Sequence, residues 1–286
     1  MKTKIFSIVV VMLISIMAMG FTNRANTYNS ILIQSTDKKV STVALTQSAN
    51  IISARLNDFS SEKFELTVIP EKNQIRVLFT GNWDLKVAEK LLTQKGKIGL
   101  HKTYNQVTLT ELLKGDQHLF SLLNSKGTNN SDAKIGCCNI SEAVKVNDYL
   151  NSTEINKTCK FAWGQPSDSS MICLYALQME MDKGSLLSGN DMENMKSGLD
   201  KDSKTYYIGF SFKKPAIALW ANITKQNIGK PIAIVLDDTV LYAPVLRSAI
   251  DNGECSITGD FSEKELKLIA VLGNNGELPV SFNVMK

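Results

Sequence analysis

Residues 31–103 alternate between strand-like and helix-like patterns in the order strand, helix, strand, strand, helix, strand. Residues 64–69 alternate apolar and polar side chains, as half-buried strands do, whereas residues 43–58 repeat apolar side chains at helical spacing. Asp84 is expected to cap the second helix and Gly96 to end it. This is the order of the split βαβ or ferredoxin-like plan, in which an antiparallel sheet carries both helices on one face.

A similar order begins near residue 190. Residues 205–212 form a strand pattern, and residues 216–226 continue as a helix. Ser262 with Glu265 three residues later forms a capping box, and Gly273 is expected to close that last helix. The second half therefore shares the plan of the first without a repeat at the level of individual residues.

A turn is expected at Asp237-Asp238, between two strand patterns at residues 232–236 and 240–245. A type I′ hairpin turn needs a positive φ at both central residues. Either Asp238 carries a small strain, or the turn is of another type.

The predicted fold class is α+β. Its base is ferredoxin-like (split β-α-β), built from antiparallel sheets with helices on one face, and it carries an inserted α+β head subdomain. The predicted domains are a signal peptide, the first half of the base, the inserted head and the second half of the base, at residues 1–20, 21–103, 104–185 and 186–286. The segment 125–132 is polar and predicts a loop inside the head.

The N-terminus has the pattern of an export signal. Lys2 and Lys4 precede an apolar run at residues 5–19, and Ala18-Met-Gly20 supplies small residues before Phe21. Cleavage before Phe21 and retention as an uncleaved anchor both remain open, although the run is short for a membrane span of about 20 residues. The expected location is periplasmic or otherwise extracytoplasmic.

Composition and motifs disfavour several function classes. The formal net charge is +4, of which the leader supplies two charges, so no nucleic-acid surface is expected. The sequence has none of the familiar nucleophile, zinc-protease or phosphate-loop motifs, and its only histidines are His101 and His118. No enzyme activity, cofactor, metal or small-molecule substrate is therefore expected.

The five cysteines leave several options open. They are Cys137, Cys138, Cys159, Cys173 and Cys255. Export permits one or two disulfides within 137–173, and buried thiols are the alternative. A zinc site is disfavoured because no two cysteines have C-x-x-C spacing.

Several motifs between residues 186 and 280 resemble the SecD family of protein-export membrane components. The run 186–191 is similar to the family's L-x-G-x-D segment, and 233–237 to its A-I-V-L-D strand. The matched motif positions, which also have structural explanations as helix ends, turns and caps, are Asn227, Gly229, Lys230, Asp237, Ala243, Pro244, Gly259, Phe261 and Pro279.

The resemblance implies the extracytoplasmic P1-like domain of that family, without the transmembrane domain. It implies a non-enzymatic protein that assists translocation by binding unfolded or emerging polypeptide, or membrane components of the export apparatus. The alternative is an envelope structural or interaction protein that reuses the fold without an export role. The oligomeric state is left open.

Overall fold

A computed structural model describes residues 28–285 except 124, 126–131, 167–169, 181–183 and 260. The predicted signal peptide lies outside the described residues. The helices are α1 Thr42–Phe59, α2 Leu85–Thr93, α3 Gln106–Leu112, α4 His118–Leu122, α5 Ala143–Ser152, α6 Lys214–Gln226 and α7 Glu263–Asn274. The strands are β1 Tyr28–Ser35, β2 Phe64–Ile69, β3 Gln74–Thr80, β4 Ile98–Tyr104, β5 Lys134–Asn139, β6 Cys159–Gly164, β7 Met171–Gln178, β8 Leu187–Ser188, β9 Met192–Leu199, β10 Tyr206–Phe212, β11 Ile232–Leu236, β12 Thr239–Tyr242, β13 Glu254–Thr258 and β14 Phe282–Val284.

The first sheet has the strand order β14-β1-β3-β2, and its neighbouring strands pair antiparallel. Strand β3 alternates buried and less buried side chains, so one face lies on the core. Ser41 caps α1 by accepting the Ala44 N–H, and Asp84 caps α2 as predicted. The first two helices and the three strands around them therefore form where the pattern places them.

The predicted fourth strand lies elsewhere, so the ferredoxin-like arrangement is not confirmed. Strand β4 leaves the first sheet and pairs with β11, β8 and β7, while β14 from the far end of the chain takes the place beside β1. The physical reason is visible in β4 itself, where Ile98, Gly99, Leu100 and His101 are all buried. A strand buried on both faces belongs inside a larger sheet and not at the edge of a small one.

The second sheet closes on itself. Its order is β5-β7-β6-β12-β11-β4-β8, and β4 also pairs with β7, so five strands form a ring from β7 through β6, β12 and β11 to β4. The β12–β6 pair is parallel, whereas the other neighbouring strands of this sheet pair antiparallel. The buried interior is made of mostly small side chains, namely Ala133, Ala162, Tyr175, Leu177, Ala233, Val235 and Val240. The predicted α+β class with antiparallel sheets is thus confirmed.

A third sheet, β13-β10-β9, completes the strands. Strands β5, β8, β9 and β13 were not predicted from the sequence. Gly273 does not close α7 as predicted, because the helix continues to Asn274. A Cβ at Gly273 would meet the Met195 sulfur at 2.1 Å, so this glycine permits α7 to pack closely on β9.

Two larger cores divide the described residues. One continuous core draws on β1, α1, β3, α2 and β4 and also on β9, β10, α6, β11, β13 and α7. A separate core lies among α3, α4, α5, β5, β6 and β7. No helix among the described residues is long and apolar enough to cross a bilayer.

One disulfide joins the two ends of the segment 137–173. Cys137 on β5 bonds Cys173, the residue directly opposite on β7. Cys138 and Cys159 are buried thiols, and burial raises the pKa of Cys159 to about 12. Of the options left open by the sequence, the structure therefore combines one bridge with buried thiols.

Candidate functional site

An apolar cavity of about 230 Å³ lies beneath residues 243–250, the segment that follows β12 and is here called the strap. Strand β10 alternates, so that Phe210 and Phe212 both face inward, and helix α6 contributes Trp220 from the same side as buried Ala216 and Ile223. The side chains that form the cavity, here called the Trp220 pocket, include Leu100, Phe210, Phe212, Trp220, Ile232, Ile234, Pro244, Leu246, Ile250, Cys255 and Ile257.

Backbone hydrogen bonds hold the strap over the pocket. The Ile232 N–H donates to Pro244 C=O at 3.1 Å, and the Leu246 N–H donates to Lys230 C=O at 3.0 Å. At the far end the Ile250 N–H donates to the Thr224 hydroxyl at 2.9 Å. Because both ends of the strap are bonded, the cavity has a defined roof.

The indole of Trp220 is the polar group of the pocket without a partner. Trp220 is 3% exposed, and its ring centroid lies 5.1 Å from that of Phe212. Its Nε1 has no hydrogen-bond acceptor among the described residues. The other two tryptophans differ, because Trp83 Nε1 donates to Lys63 C=O at 3.2 Å and Trp163 Nε1 donates to Asn147 Oδ1 at 3.0 Å. A buried donor left unsatisfied costs about 1–3 kcal/mol. Because Nε1 has almost no accessible surface, a ligand recovers that energy only if the side chains around Trp220 shift to admit an acceptor.

The pocket carries little charge. Burial raises the pKa of the Cys255 thiol to about 12, so this side chain stays neutral at physiological pH. The charged residue on the lining is Arg247, which is exposed. Such a cavity suits a large apolar side chain next to a carbonyl group, with specificity set by shape and by one hydrogen bond.

A second buried constellation surrounds Arg55 on α1. Its guanidinium donates to the carbonyls of Gln94 at 2.6 Å, Lys95 at 2.7 Å and Gly276 at 2.7 Å, with a longer bond to Leu91 at 3.3 Å. We call this set the Arg55 junction. It ties α1 to the ends of α2 and α7, since Gly276 follows α7.

Burial shifts the pKa values of Arg55 and Asp237, and the backbone at Gly96 makes room for the guanidinium. Burial lowers the pKa of Arg55 to about 10, against an opposing effect of Asp237, so the guanidinium remains charged. Burial also raises the pKa of Asp237, while hydrogen bonds from Lys97 and Gly96 oppose this. Gly96 has φ +80, and a Cβ there would lie 2.3 Å from the Arg55 guanidinium, so only glycine fits.

The structure divides the nine motif residues among several places. Asn227 Nδ2 donates to Ile223 C=O at 2.7 Å, and Gly229 has φ 79°, so both shape the end of α6. Lys230 bonds the strap through its carbonyl, and Ala243 and Pro244 begin the strap. Of these five residues, Pro244 lines the Trp220 pocket, and the others shape the end of α6 or hold and begin the strap.

The remaining motif residues lie away from the pocket. The β11–β12 hairpin forms as predicted, but only Asp237 has a positive φ, of 57°, so the turn is not type I′. Asp237 Oδ1 accepts the Lys97 N–H at 2.9 Å. Phe261 packs edge-on against Tyr242, and a Cβ at Gly259 would lie 2.6 Å from the Phe261 ring. Pro279 is exposed next to the fully buried Leu278.

Sequence reasoning missed Trp220, Arg55 and the phenylalanines of β10 as site residues. Trp220 lies on the apolar face of a helix, where an aromatic residue is expected to be core. Arg55 did leave a signal, since it interrupts the apolar stripe of α1 between Ile52 and Leu56. A charge on a buried stripe predicts a dedicated set of partners.

Comparison with known proteins places this geometry in a family context. Residues 175–280 match the family model for the SecDF P1 head subdomain. The matched segment overlaps the head subdomain predicted from the sequence, residues 104–185, only at residues 175–185. Thus the Trp220 pocket, apart from Leu100, lies inside the matched segment.

Curated relatives agree over a similar region. The protein translocase subunit SecD of Syntrophobacter fumaroxidans is 30% identical over 109 residues, which are 38% of this chain and 20% of that protein. The SecD of Rickettsia typhi is 35% identical over 148 residues, 52% of this chain and 26% of that protein. The chain thus spans about a fifth to a quarter of the length of these relatives.

Solved structures extend the similarity of fold to most of the chain. A structure of SecDF, described as a membrane component that enhances protein export, superposes with a TM-score of 0.54 at 22% identity and covers 90% of this chain and 98% of that one. SecDF in its super-membrane-facing form gives a TM-score of 0.55 at 22% identity, over 90% of this chain and 29% of that one. The resemblance to the extracytoplasmic P1 domain of the SecD family, which the motifs of residues 186–280 carry, is thereby confirmed.

Proposed function

We propose that this protein is a non-enzymatic, exported SecD-like domain that assists protein translocation by holding unfolded or emerging polypeptide. The observation that carries the proposal is the Trp220 pocket, which is apolar, roofed by the strap and lined by Trp220, whose buried indole N–H has no acceptor among the described residues. An unfolded chain offers large apolar side chains, each flanked by backbone carbonyls, and so matches the pocket in both shape and hydrogen bonding.

The family context supports an export role. The relatives are named protein translocase subunits, and one structural neighbour is a membrane component that enhances protein export. The leader at residues 1–20 supports a periplasmic or extracytoplasmic location. Membrane components of the export apparatus are the second expected partner of the same domain.

The domain organisation that we propose follows the cores. Residues 21–103 and 186–286 form a single base, since one core draws on both. Residues 104–185 are an insertion that has a core of its own and also shares the small core of the closed sheet with the base. Strands β1, β2 and β3 with α1 and α2 retain the ferredoxin-like order, and β14 replaces the fourth strand.

Binding of an unfolded polypeptide is the direct test of the pocket. Ile250→Asp puts a carboxylate on its lining, where an apolar side chain would have to desolvate it. We expect this variant to bind a reduced and alkylated, permanently unfolded polypeptide at least about tenfold more weakly than the wild type, as measured by fluorescence anisotropy.

Leu219→Asp is the matched control, because Leu219 lies on α6, is 40% exposed and is not part of the pocket. Its affinity should stay within about twofold of the wild type. Equal affinities for wild type and Ile250→Asp, with both proteins folded by circular dichroism, would contradict polypeptide binding at this pocket.

The export role has a separate test in cells. A photo-crosslinking residue at Ser248 on the strap should recover nascent exported chains or membrane components of the export apparatus. Recovery of neither, together with unchanged secretion and altered envelope integrity on deletion of the gene, would favour an envelope structural protein instead.

A further inference from the structure

The outer edge of strand β14 presents unpaired backbone groups. The Thr36 N–H donates to Ser281 C=O, and the Met285 N–H donates to Leu32 C=O. In an antiparallel pair the hydrogen-bonded residues alternate with residues whose N–H and C=O point the other way. The register therefore turns the backbone groups of Phe282 and Val284 away from β1, toward the open side of the sheet.

Helix α2 runs beside this edge and leaves a groove between them. Its buried face carries Val87, Ala88, Leu91 and Leu92. Its opposite face supplies Lys86, Glu89, Lys90 and Thr93, which line a solvent-open cleft of about 950 Å³ together with residues 281–284. We call this cleft the β14 groove. Its two walls are a row of free backbone groups and a charged helix face.

The lining of the groove holds four lysines and four acidic residues, but three of the acidic residues already have partners. Glu277 pairs with Lys95 at 3.6 Å, and Asp238 pairs with Lys160 at 2.6 Å. Asp237 accepts the Lys97 N–H. The lining amines that form no direct ion pair within the described part of the chain are those of Lys86, Lys90 and Lys97, and the carboxylate that remains beside them is Glu89.

We propose that the β14 groove binds an extended peptide segment with acidic side chains at every second position, which adds to β14 as a further strand. Strand addition satisfies the outward N–H and C=O groups of Phe282 and Val284. Because side chains alternate across a strand, every second residue of the added segment faces α2, where Lys86 and Lys90 favour carboxylates. This surface shares no lining residue with the Trp220 pocket, so the inference does not depend on the proposed function.

The test uses the full chain and short fluorescein-labelled peptides. A peptide that alternates threonine and glutamate should bind in low salt at least about tenfold more tightly than one that alternates threonine and lysine. Two further versions of the glutamate peptide carry N-methyl groups at alternate backbone nitrogens, one at the odd and one at the even positions. The version whose methylated nitrogens face β14 should lose binding, and the other should keep it. Equal affinity of the glutamate and lysine peptides, or no effect of N-methylation in either register, would overturn the proposal.

Two variants locate the binding on the protein. Lys86→Glu with Lys90→Glu should weaken the glutamate peptide by about tenfold or more and strengthen the lysine peptide. Lys201→Glu with Lys225→Glu makes the same change of charge away from the groove and should leave both affinities within about twofold. If the two double variants behave alike, the groove is not the binding surface. Failure of these peptides with intact binding at the Trp220 pocket would overturn this inference alone.

Discussion

The Arg55 junction and the Trp220 pocket each contain a buried side chain with N–H donors, and they differ in whether the fold supplies acceptors for those donors. Arg55 is fully buried, and its two terminal nitrogens donate to four backbone carbonyls, although its Nε has no partner among the described residues. Trp220 is nearly as buried and lines an apolar cavity, yet its N–H has no acceptor in the part of the chain that the structure describes. A buried polar group whose partners are supplied by the fold stabilises the fold, whereas one whose partner is missing beside a cavity marks a place for a ligand.

The largest expected effect follows from breaking the junction. Arg55→Met keeps much of the side-chain volume but removes the donor to the Gln94 and Gly276 carbonyls, while the Lys95 carbonyl keeps its bond from the Leu278 N–H. We expect the free energy of unfolding to fall by about 3–5 kcal/mol in denaturant titrations, because a buried charge with dedicated partners is removed.

Lys264→Met provides the comparison for Arg55→Met. Lys264 forms a half-exposed ion pair with Asp84, and its loss should cost under about 1 kcal/mol. A loss of similar size in both variants would show that the junction is not the structural centre that its geometry indicates.

His101 is a third buried polar side chain, and its burial makes the stability of the fold depend on pH. Its Nδ1 has no partner among the described residues, and burial with Lys160 and Lys97 lowers the pKa of His101 from 6.5 to about 4. The unfolded chain therefore binds the proton more readily. Stability should fall as the pH drops from about 6.5 toward 4, by up to about 3 kcal/mol.

Unfolding curves of wild type and His101→Gln across this pH range give the measurement. The difference in stability between the two proteins should decrease or reverse as the pH falls, since glutamine does not titrate. A difference that stays constant between pH 7 and 4 would remove His101 from this account.

The smallest effect compares two tryptophans. Trp83→Phe breaks the bond from Nε1 to Lys63 C=O, whereas Trp220→Phe removes a donor that has no partner. Both lose a similar volume from a buried site, so we expect Trp83→Phe to cost about 1 kcal/mol more in thermal or denaturant unfolding. Equal costs would indicate that the Trp220 N–H is satisfied in solution.

The sequence predicts the local elements better than the way they combine. The caps at Asp84 and Ser262, and the β11–β12 hairpin, depend on short-range hydrogen bonds that residue types reveal. The place of β4 depends on which distant strands bury its two faces, and alternation within β4 does not encode that choice.

Of the candidate site, the sequence predicted only residues at the end of α6 and in the strap, and not the aromatic residues that line the pocket. Asn227, Gly229 and Pro244 were recognised as motif positions, and they shape the helix end and the strap around the pocket. Trp220 and Phe212 were not recognised as site residues, because an apolar side chain beside a cavity and one in a filled core produce the same periodicity in the sequence. The cavity itself arises from tertiary packing.

The most direct test of the central claim is an NMR titration of the three indole N–H resonances with the permanently unfolded polypeptide, assigned through Trp220→Phe. The account predicts that the Trp220 N–H shifts downfield and saturates as it gains an acceptor, while those of Trp83 and Trp163 stay where their existing bonds hold them. An unchanged Trp220 resonance at saturating polypeptide would contradict the account.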